Sequence, residues 1–349
     1  MKNEIKFWPA DGIEHLNACP VCGKGERQIL YDNLYDKIFF CAPGKWTMWL
    51  CQDCQCAYLD PRPNRESIHL AYETYYTHGN THGNARIQKI SLINQFKKML
   101  GNGYRNWRYA ANEQPSLKIG VILAYLLPFF KRKIDASFRH IPRPKENGRL
   151  LDIGCGDGAF LLTARAMGWV VEGVDFDEVA VNAAKQKGLN VFCGGIHSFD
   201  ERSNQFDVIT MNHVIEHVHD PVGLLKDCYR LLKPGGRVQI ETPNINSSGH
   251  SEFKRDWRGL EPPRHLVLFN RDAINALLAN IGFINCHFQA PVEATDYMFA
   301  SSYRMRVNLD PHSESEIPYV IRQLAKKNKI IQKFSPDKSE FLSIVGTKS

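Results

Sequence analysis

The sequence predicts an α/β protein built on a doubly wound, mainly parallel sheet, with a small β-rich module before it. From Gly148 onward, apolar strand-like runs alternate with helical segments, the order that places helices on both faces of a parallel sheet. The first of these runs leads directly into a glycine loop. Far upstream, two C-x-x-C pairs stand among aromatic residues and short β-prone runs.

Composition divides the chain of 349 residues into three predicted parts. Residues 1–62 hold the paired cysteines and close at the sequence DPRP, 63–146 form a basic helical cap or linker, and 147–349 form the α/β domain. An insertion at about 292–338 precedes its last strand. The N-terminus lacks the order of a secretory signal, and ten cysteines are too few for a disulfide scaffold, so we expect a cytoplasmic protein.

Turn and cap residues set the bounds of the elements in the α/β part. Gly168 and Gly188 follow helical segments where a left-handed cap is favoured, and Asp220-Pro221 provides a capping side chain and a proline at the first helical position. The predicted strands are 150–153, 170–174, 190–193, 206–211, 237–241, 283–289 and 340–346, and the predicted helices are 159–167, 177–187, 221–232 and 271–281.

The net charge of +7 is concentrated in one segment, since thirteen Lys or Arg stand between Arg86 and Lys145 against two acidic residues. Such a segment can face phosphate groups, anionic lipid or an acidic substrate, or form a solvated helix surface. The uncharged run Ile119–Phe130 is too short to span a bilayer, which needs ~20 residues. We predict a buried helix in a cap over the active site; the alternative is an interfacial helix in peripheral contact with the inner face of the membrane.

A glycine loop follows the first strand in LLDIGCGDGAFL, with glycines at 154, 156 and 158. Glycines let the backbone turn sharply and approach a ligand, and the following helix start offers free N–H groups. The third glycine comes one residue earlier than in the G-x-G-x-x-G loop, which argues against an NAD-linked dehydrogenase. Asp175 ends the second strand, where a carboxylate can accept hydrogen bonds from both ribose hydroxyls.

Four ordered motifs resemble those of class I S-adenosylmethionine (SAM)-dependent methyltransferases: LLDIGCGDG, GVDFD, FDVITMNHVIEHVHDP and LLKPGG. The resemblance covers about 148–289 and implies a Rossmann-like seven-stranded sheet whose last strand is antiparallel. It also implies that SAM lies over the carboxyl ends of the strands. The loop GGIHSFD lacks the acidic residue that many relatives carry there. The implied SAM contacts are Asp152 at the ammonium group, Gly154, Cys155 and Gly156 along the methionine, Asp175 and Phe176 at the ribose and adenine, Gly195 and Ile196 along the adenine, and Asn212 and His213 at the sulfonium.

Three histidines are candidate catalytic residues. Methyl transfer mainly requires that donor and acceptor are held in line, and a base is needed only if the acceptor loses a proton. Because histidine titrates near neutrality, His213, His217 and His265 are the candidates. His213 and His217 stand four apart with Glu216 between them, which could form a metal site, although the resemblance implies a structural role beside the cofactor. His265 either faces the substrate cleft or packs within its loop.

The four cysteines Cys19, Cys22, Cys51 and Cys54 form two knuckles whose two-residue interiors suit tetrahedral zinc. Four thiolates leave no open coordination position, so we expect structural zinc. The segment resembles the zinc ribbon of methyltransferases associated with bacterial cell-surface glycan synthesis, which lead to a similar DPRP and YY-x-H cluster, and this implies polysaccharide biosynthesis. An aromatic cluster after the ribbon could close over the cofactor or pack between domains: Tyr72, Tyr75, Tyr76 and His78.

The leading functional hypothesis is SAM-dependent methylation of a small-molecule or saccharide acceptor, such as a lipid- or nucleotide-linked sugar whose phosphates the basic segment attracts. An RNA methyltransferase is the alternative, since a zinc ribbon and a basic segment also suit nucleic acid. The sequence has no N-P-P-Y-like tetrapeptide after the fourth strand, which makes a nucleic-acid partner the weaker hypothesis. A non-catalytic scaffold of the same fold would be expected to carry a damaged glycine loop, and this loop is intact.

Overall fold

The β-rich module at the N-terminus is an antiparallel structure with its own aromatic packing. The computed structural model describes residues 7–72 and 92–349. Trp8 and Trp46 pack edge to face in the module, with ring centroids 5.3 Å apart. The second, third and fourth strands pair antiparallel, and the first pairs with the fifth. The strands are β1 (Ile13–Glu14), β2 (Arg27–Leu34), β3 (Trp46–Cys51), β4 (Ala57–Leu59) and β5 (Arg62–Pro63).

Three helices follow in the basic segment: α1 (Leu92–Tyr109), α2 (Gly120–Leu126) and α3 (Pro128–Ser137). A Cβ on Gly120 would lie 1.9 Å from the Leu100 carbonyl oxygen, so glycine permits the close contact of α1 and α2. The prediction of one buried helix over 119–130 is wrong. Pro128 has no N–H to donate, so α2 ends before it and α3 begins with it. Only Gly120 and Ala124 of α2 are buried.

The α/β domain contains a seven-stranded sheet in the order β12-β13-β10-β9-β6-β7-β8. Strand β13 runs antiparallel to both of its neighbours, and the other pairs are parallel. This topology confirms the predicted doubly wound, Rossmann-like sheet. The strands are β6 (Arg149–Ile153), β7 (Val170–Asp175), β8 (Asn190–Cys193), β9 (Phe206–Asn212), β10 (Leu232–Pro243), β11 (Val267–Leu268), β12 (Phe283–Gln289) and β13 (Phe341–Lys348), and the helices are α4 (Ala159–Ala166), α5 (Glu178–Gln186), α6 (Pro221–Leu231), α7 (Ser248–Phe253), α8 (Arg271–Ile281), α9 (Thr295–Arg306) and α10 (Tyr319–Phe334).

The start of α6 follows from local chemistry, as predicted. The Asp220 carboxylate accepts a hydrogen bond from the Gly223 N–H at 2.8 Å, and Pro221 occupies the first turn. In the region from 292 to 338, the structure places both α9 and α10 before the last strand. Within the described ranges, 7–72 and 92–349, no helix is both long enough and apolar enough to cross a membrane.

The β module and the α/β domain share one sheet. Strand β11 follows the loop that carries His265, and it pairs with β4 of the module to complete a four-stranded sheet. Arg264, completely buried, donates from Nη2 to Asp36 Oδ1 of the module at 2.5 Å and from Nη1 to the Ala71 carbonyl at 2.9 Å. The Leu59 N–H also donates to the Leu266 carbonyl at 3.0 Å. The loop before β11 is therefore held from both sides.

Candidate active site

The glycine loop between β6 and α4 is packed at its ends and open in the middle. Gly154 and Gly158 have φ of +71° and +79°, and a Cβ on them would lie 2.4 Å from Val214 and 2.2 Å from Leu189. Gly156, at φ +52°, has no atom within 4 Å of the place where its Cβ would be. Left-handed backbone favours glycine at all three positions. The free space at Gly156 leaves room for a ligand against the backbone.

Asp175 ties the glycine loop to the start of α5. Its Oδ2 accepts from the Gly156 N–H at 2.7 Å, and its Oδ1 accepts from the Asp177 N–H at 2.9 Å. Beside it, the Phe176 ring is 77% exposed and lies over Gly195, whose Cβ would be 3.0 Å from Phe176 Cζ. Ile196, the next residue, is buried. The structure thus brings together the four residues predicted at the ribose and adenine, at the carboxyl ends of β7 and β8.

Two buried acceptor atoms lie on β6 and β9. Asp152 accepts from the Thr210 hydroxyl at 2.7 Å and is ion-paired with Arg139, and burial raises the pKa of its carboxyl. Within the part of the chain that the structure describes, neither Asp152 Oδ2 nor Asn212 Oδ1 has a hydrogen-bond partner. Buried acceptors in this state suit a ligand with N–H donors, such as the ammonium group predicted near Asp152. Burial also raises the pKa of the Cys155 thiol to about 12, which keeps it neutral.

His213 is the accessible histidine of the three candidates. It follows β9 directly with a positive φ of +54°, and its side chain is 40% exposed. Its Nδ1 lies 3.2 Å from Glu216 Oε1, and its Nε2 lies 3.9 Å from Glu241 Oε1. Burial disfavours the imidazolium, but the hydrogen bond and charge of Glu216, together with Glu241, outweigh it and raise the pKa of His213.

Glu216 is completely buried and ionised beneath His213. Its Oε2 accepts from the Thr242 hydroxyl at 2.9 Å. Burial would raise the pKa of this carboxyl, but the hydrogen bond with His213 and the neighbouring histidines hold it at about 2. A buried carboxylate in this position fixes the ring orientation of His213 and stabilises its charged form.

His217 and His265 face each other deeper in the site, with ring centroids 4.7 Å apart. His265 Nδ1 lies 2.7 Å from the Gly259 carbonyl, and burial lowers its pKa to about 4. His217 Nδ1 lies 3.1 Å from both the Arg264 carbonyl and the Tyr72 hydroxyl. His265 is therefore a packed loop histidine, the second of the two interpretations that its sequence left open.

A metal site at these histidines would involve a different set from the pair His213 and His217 that the sequence spacing suggested as an alternative. Potential ligand atoms of Glu216, His217 and His265 lie within 4.8 Å of one another. His213 does not belong to that group. It points instead to Glu216 and Glu241.

Several charged residues of the site were missed by the sequence analysis. Glu261 is buried between Arg258, Arg264 and His265, and the neighbouring positive charges hold the pKa of its carboxyl well below its usual range despite burial. Arg139 comes from the basic segment after α3. The position of Glu241 near the end of the fifth strand was one available signal, and the spacing of three residues between Glu261 and each of Arg258 and Arg264 was another. The burial of Glu261 and the pairing of Arg139 with Asp152 depend on how the elements pack.

The four cysteines form a compact thiol cluster. The Sγ atoms of Cys19 and Cys54 are 3.6 Å apart, those of Cys22 and Cys51 are 3.5 Å apart, and all four lie within 4.8 Å of one another. Tetrahedral zinc with Zn–S bonds of ~2.3 Å requires Sγ separations of ~3.8 Å. The cluster therefore has the dimensions of a four-thiolate zinc site. Of the aromatic cluster, Tyr72 contacts His217, whereas Tyr75, Tyr76 and His78 lie outside the described residues.

Residues 125–287 match a family model described as a methyltransferase domain. A ubiquinone biosynthesis O-methyltransferase from Coxiella burnetii is 32% identical over 146 residues, which are 40% of this chain and 57% of the relative. The protein of the same name from Parvibaculum lavamentivorans is 37% identical over 134 residues, which are 36% of this chain and 53% of that protein. The chain thus spans a little over half the length of these curated relatives.

Solved structures of methyltransferases are also similar. A SAM-dependent methyltransferase from Archaeoglobus fulgidus is 23% identical with a TM-score of 0.45, and the match covers 64% of this chain and 99% of that one. The phosphoethanolamine N-methyltransferase 2 of Haemonchus contortus, in complex with SAM, is 18% identical with a TM-score of 0.43, covering 71% and 60%. The family match and the glycine loop on a seven-stranded sheet agree, and this chain contains a class I SAM-dependent methyltransferase domain.

Proposed function

We propose that this chain transfers the methyl group of SAM to a hydroxyl oxygen of a small-molecule or saccharide acceptor, with His213 as the general base. The observation that carries the proposal is the accessible His213 imidazole at the carboxyl end of β9, hydrogen-bonded to the buried carboxylate of Glu216. The names of the curated relatives, which are O-methyltransferases, support oxygen as the acceptor atom.

The reaction needs a general base because the acceptor hydroxyl loses a proton. When bound, SAM supplies a methyl group already activated by its positive sulfur. Transfer breaks the carbon–sulfur bond and forms a carbon–oxygen bond, and the acceptor hydroxyl must lose its proton. An Nδ1–H that donates to Glu216 leaves the lone pair of His213 on Nε2, and this atom accepts the proton. Glu216 then stabilises the imidazolium.

The residues present fit SAM at the carboxyl ends of the strands. The open face of Gly156 would hold the methionine part, and Asp152 Oδ2 and Asn212 Oδ1 would accept from its ammonium group. Asp175 would exchange its backbone hydrogen bonds for the ribose hydroxyls. Phe176, Gly195 and Ile196 would contact the adenine.

We also propose that the cysteine cluster holds one structural zinc ion. The Gly23 N–H donates to the Cys19 carbonyl at 2.9 Å, and the Gln55 N–H donates to the Cys51 carbonyl at 3.1 Å, so each pair stands on a closed turn. The Asn270 side chain donates to the Cys54 carbonyl at 2.8 Å. Since Asn270 also caps α8, the metal would stabilise the junction between the module and the domain.

The test is transfer of tritiated methyl from SAM by the full chain to three acceptor sets: simple catechols, nucleotide-linked and lipid-linked sugars, and total RNA. We expect labelled small-molecule products, at a rate reduced about 100-fold or more in His213→Asn. His287→Asn, an exposed histidine on β12, is the matched control and should leave the rate unchanged. Labelling of RNA alone, or a rate that is equal in His213→Asn and wild type, would contradict the proposal.

A further inference from the structure

Within residues 7–72 and 92–349, helices α2, α3 and α10 carry large apolar side chains that stay exposed. Ile122, Tyr125 and Leu126 share one side of α2, opposite the buried Gly120 and Ala124. The C-terminal end of α10 contacts the first turn of α3, where Lys333 Nζ lies 4.4 Å from the centre of the Phe129 ring. We call this area the α2–α3–α10 surface; its six exposed apolar side chains are 51% to 82% accessible and belong to Ile122, Tyr125, Leu126, Leu127, Phe129 and Phe334.

Positive charges without acidic partners border the α2–α3–α10 surface. Among residues 7–72 and 92–349, no carboxylate lies within 4.0 Å of the charged groups of Lys118, Arg132, Lys133, Lys326, Lys327 or Lys333. The Arg132 guanidinium lies 5.7 Å from the Phe129 ring, so cations flank this ring from two helices. The one acidic residue of α3, Asp135, is buried against Tyr104, Tyr109 and Lys131.

We propose that the α2–α3–α10 surface docks peripherally on an anionic lipid bilayer. Apolar side chains would enter the boundary between headgroups and acyl chains, and the bordering Lys and Arg would contact lipid phosphates. A bilayer suits this arrangement because the charged ends of long basic side chains can reach the headgroups while their aliphatic stems lie against apolar surface. A second copy of the chain suits it less, since a two-fold contact through this surface would bring the same positive borders together.

The test is co-sedimentation of the full chain with vesicles, without SAM or acceptor, so that its failure leaves the proposed function untouched. We expect strong binding to vesicles of equal parts phosphatidylglycerol and phosphatidylcholine, weak binding to phosphatidylcholine alone, and loss of binding at high salt. Leu126→Ser and Phe334→Ser should each weaken partition about tenfold. Lys133→Gln should weaken it about fivefold.

Val179→Ser is the matched control, because Val179 is 73% exposed on helix α5 and Leu126 is 69% exposed. Equal losses in Val179→Ser and Leu126→Ser, or equal binding to charged and neutral vesicles, would overturn the proposal. The proposal would also be overturned if the wild type did not bind vesicles but formed a dimer in analytical ultracentrifugation that Leu126→Ser converted to monomer. That result would assign the surface to a second copy of the chain.

Discussion

Replacing Arg264 with methionine should loosen the junction between the β module and the α/β domain. The buried guanidinium contacts Asp36 of the module at 2.5 Å, Glu261 of the active-site loop at 3.0 Å and the Ala71 carbonyl at 2.9 Å. Methionine has an unbranched stem that can occupy the same channel, but it removes the charge and the donors. Two buried carboxylates each lose a partner.

The size of the expected loss in unfolding free energy depends on the hydrogen bonds and ion pairs that Asp36 and Glu261 retain in Arg264→Met. Removing one partner of a buried ion pair costs about 3–5 kcal/mol. Asp36 still accepts from four backbone N–H groups of residues 38–42, at 3.0 to 3.2 Å, and Glu261 still pairs with Arg258. The loss in unfolding free energy should therefore lie near the lower end, about 3 kcal/mol.

Urea unfolding followed by tryptophan fluorescence measures this loss, because Trp46 and Trp49 report on the module and Trp257 on the domain. Arg322→Met is the control, since its ion pair with Glu316 is exposed and should contribute less than about 1 kcal/mol. A loss in Arg264→Met no larger than that of the control would refute the reasoning.

The loss of unfolding free energy in Arg264→Met should depend on pH, because Arg264 pairs with the carboxyl group of Asp36. Burial would raise the pKa of Asp36, but the hydrogen bond and charge of Arg264 outweigh it and hold the pKa below its ordinary value. A carboxyl group whose pKa is lower in the folded state than in the unfolded state stabilises the fold at neutral pH. This stabilisation is lost as the pH falls from the ordinary carboxyl pKa, near 4, through the lower pKa of the folded state. The difference between wild type and Arg264→Met should therefore narrow in acid.

Three further predictions concern the site and the cysteine cluster. His213→Asn should lower kcat by 100-fold to 10,000-fold in steady-state assays while the Kd of SAM changes little, because the base acts on the acceptor proton; His287→Asn should match wild type. Glu216→Gln removes the charge that raises the pKa of His213, so the acidic limb of kcat/KM against pH should move to lower pH, and an unmoved limb would exclude His213 as the titrating group. Elemental analysis should find one zinc per chain, lost in Cys51→Ser and retained in Cys193→Ser, whose thiol is exposed and outside the cluster.

Local sequence signals were sufficient for the seven-stranded sheet. The predicted helix 271–281 and the strands 190–193 and 283–289 have the observed bounds. The helix begins after the cap residue Asn270 and ends at Gly282, and strand 190–193 ends at Gly194. The end of α6 differs by one residue. Patterns of this kind depend on neighbours in the chain, and the α/β domain is built mainly from such patterns.

The junction with the module could not be predicted because its contacts are distant in sequence. Strand β11 has only two residues, and its register pairs Val267 with Tyr58. The pair of Arg264 with Asp36 likewise joins residues 228 apart. Nothing in either local sequence indicates that a charged residue will be buried, since such residues are usually exposed.

The apolar run 119–130, which follows α1, was predicted to be buried and is largely exposed. Its composition favours burial, yet Leu126 and Phe129 are exposed because Pro128 ends α2 and no other described element covers that side. For the histidines, the sequence named three candidates but could not rank them by accessibility. The ranking depends on depth, which leaves His213 accessible and His265 buried.

Calorimetric titration of the full chain with SAM, and separately with NADH, tests most directly whether the glycine loop and Asp175 form the cofactor site. We predict micromolar binding of SAM, no binding of NADH, and at least tenfold weaker SAM binding in Asp175→Ala. Asp220→Ala, which removes a helix cap at α6, is the control and should bind SAM as wild type does. Absence of SAM binding to the folded chain, or an affinity unchanged by Asp175→Ala, would contradict the proposed site.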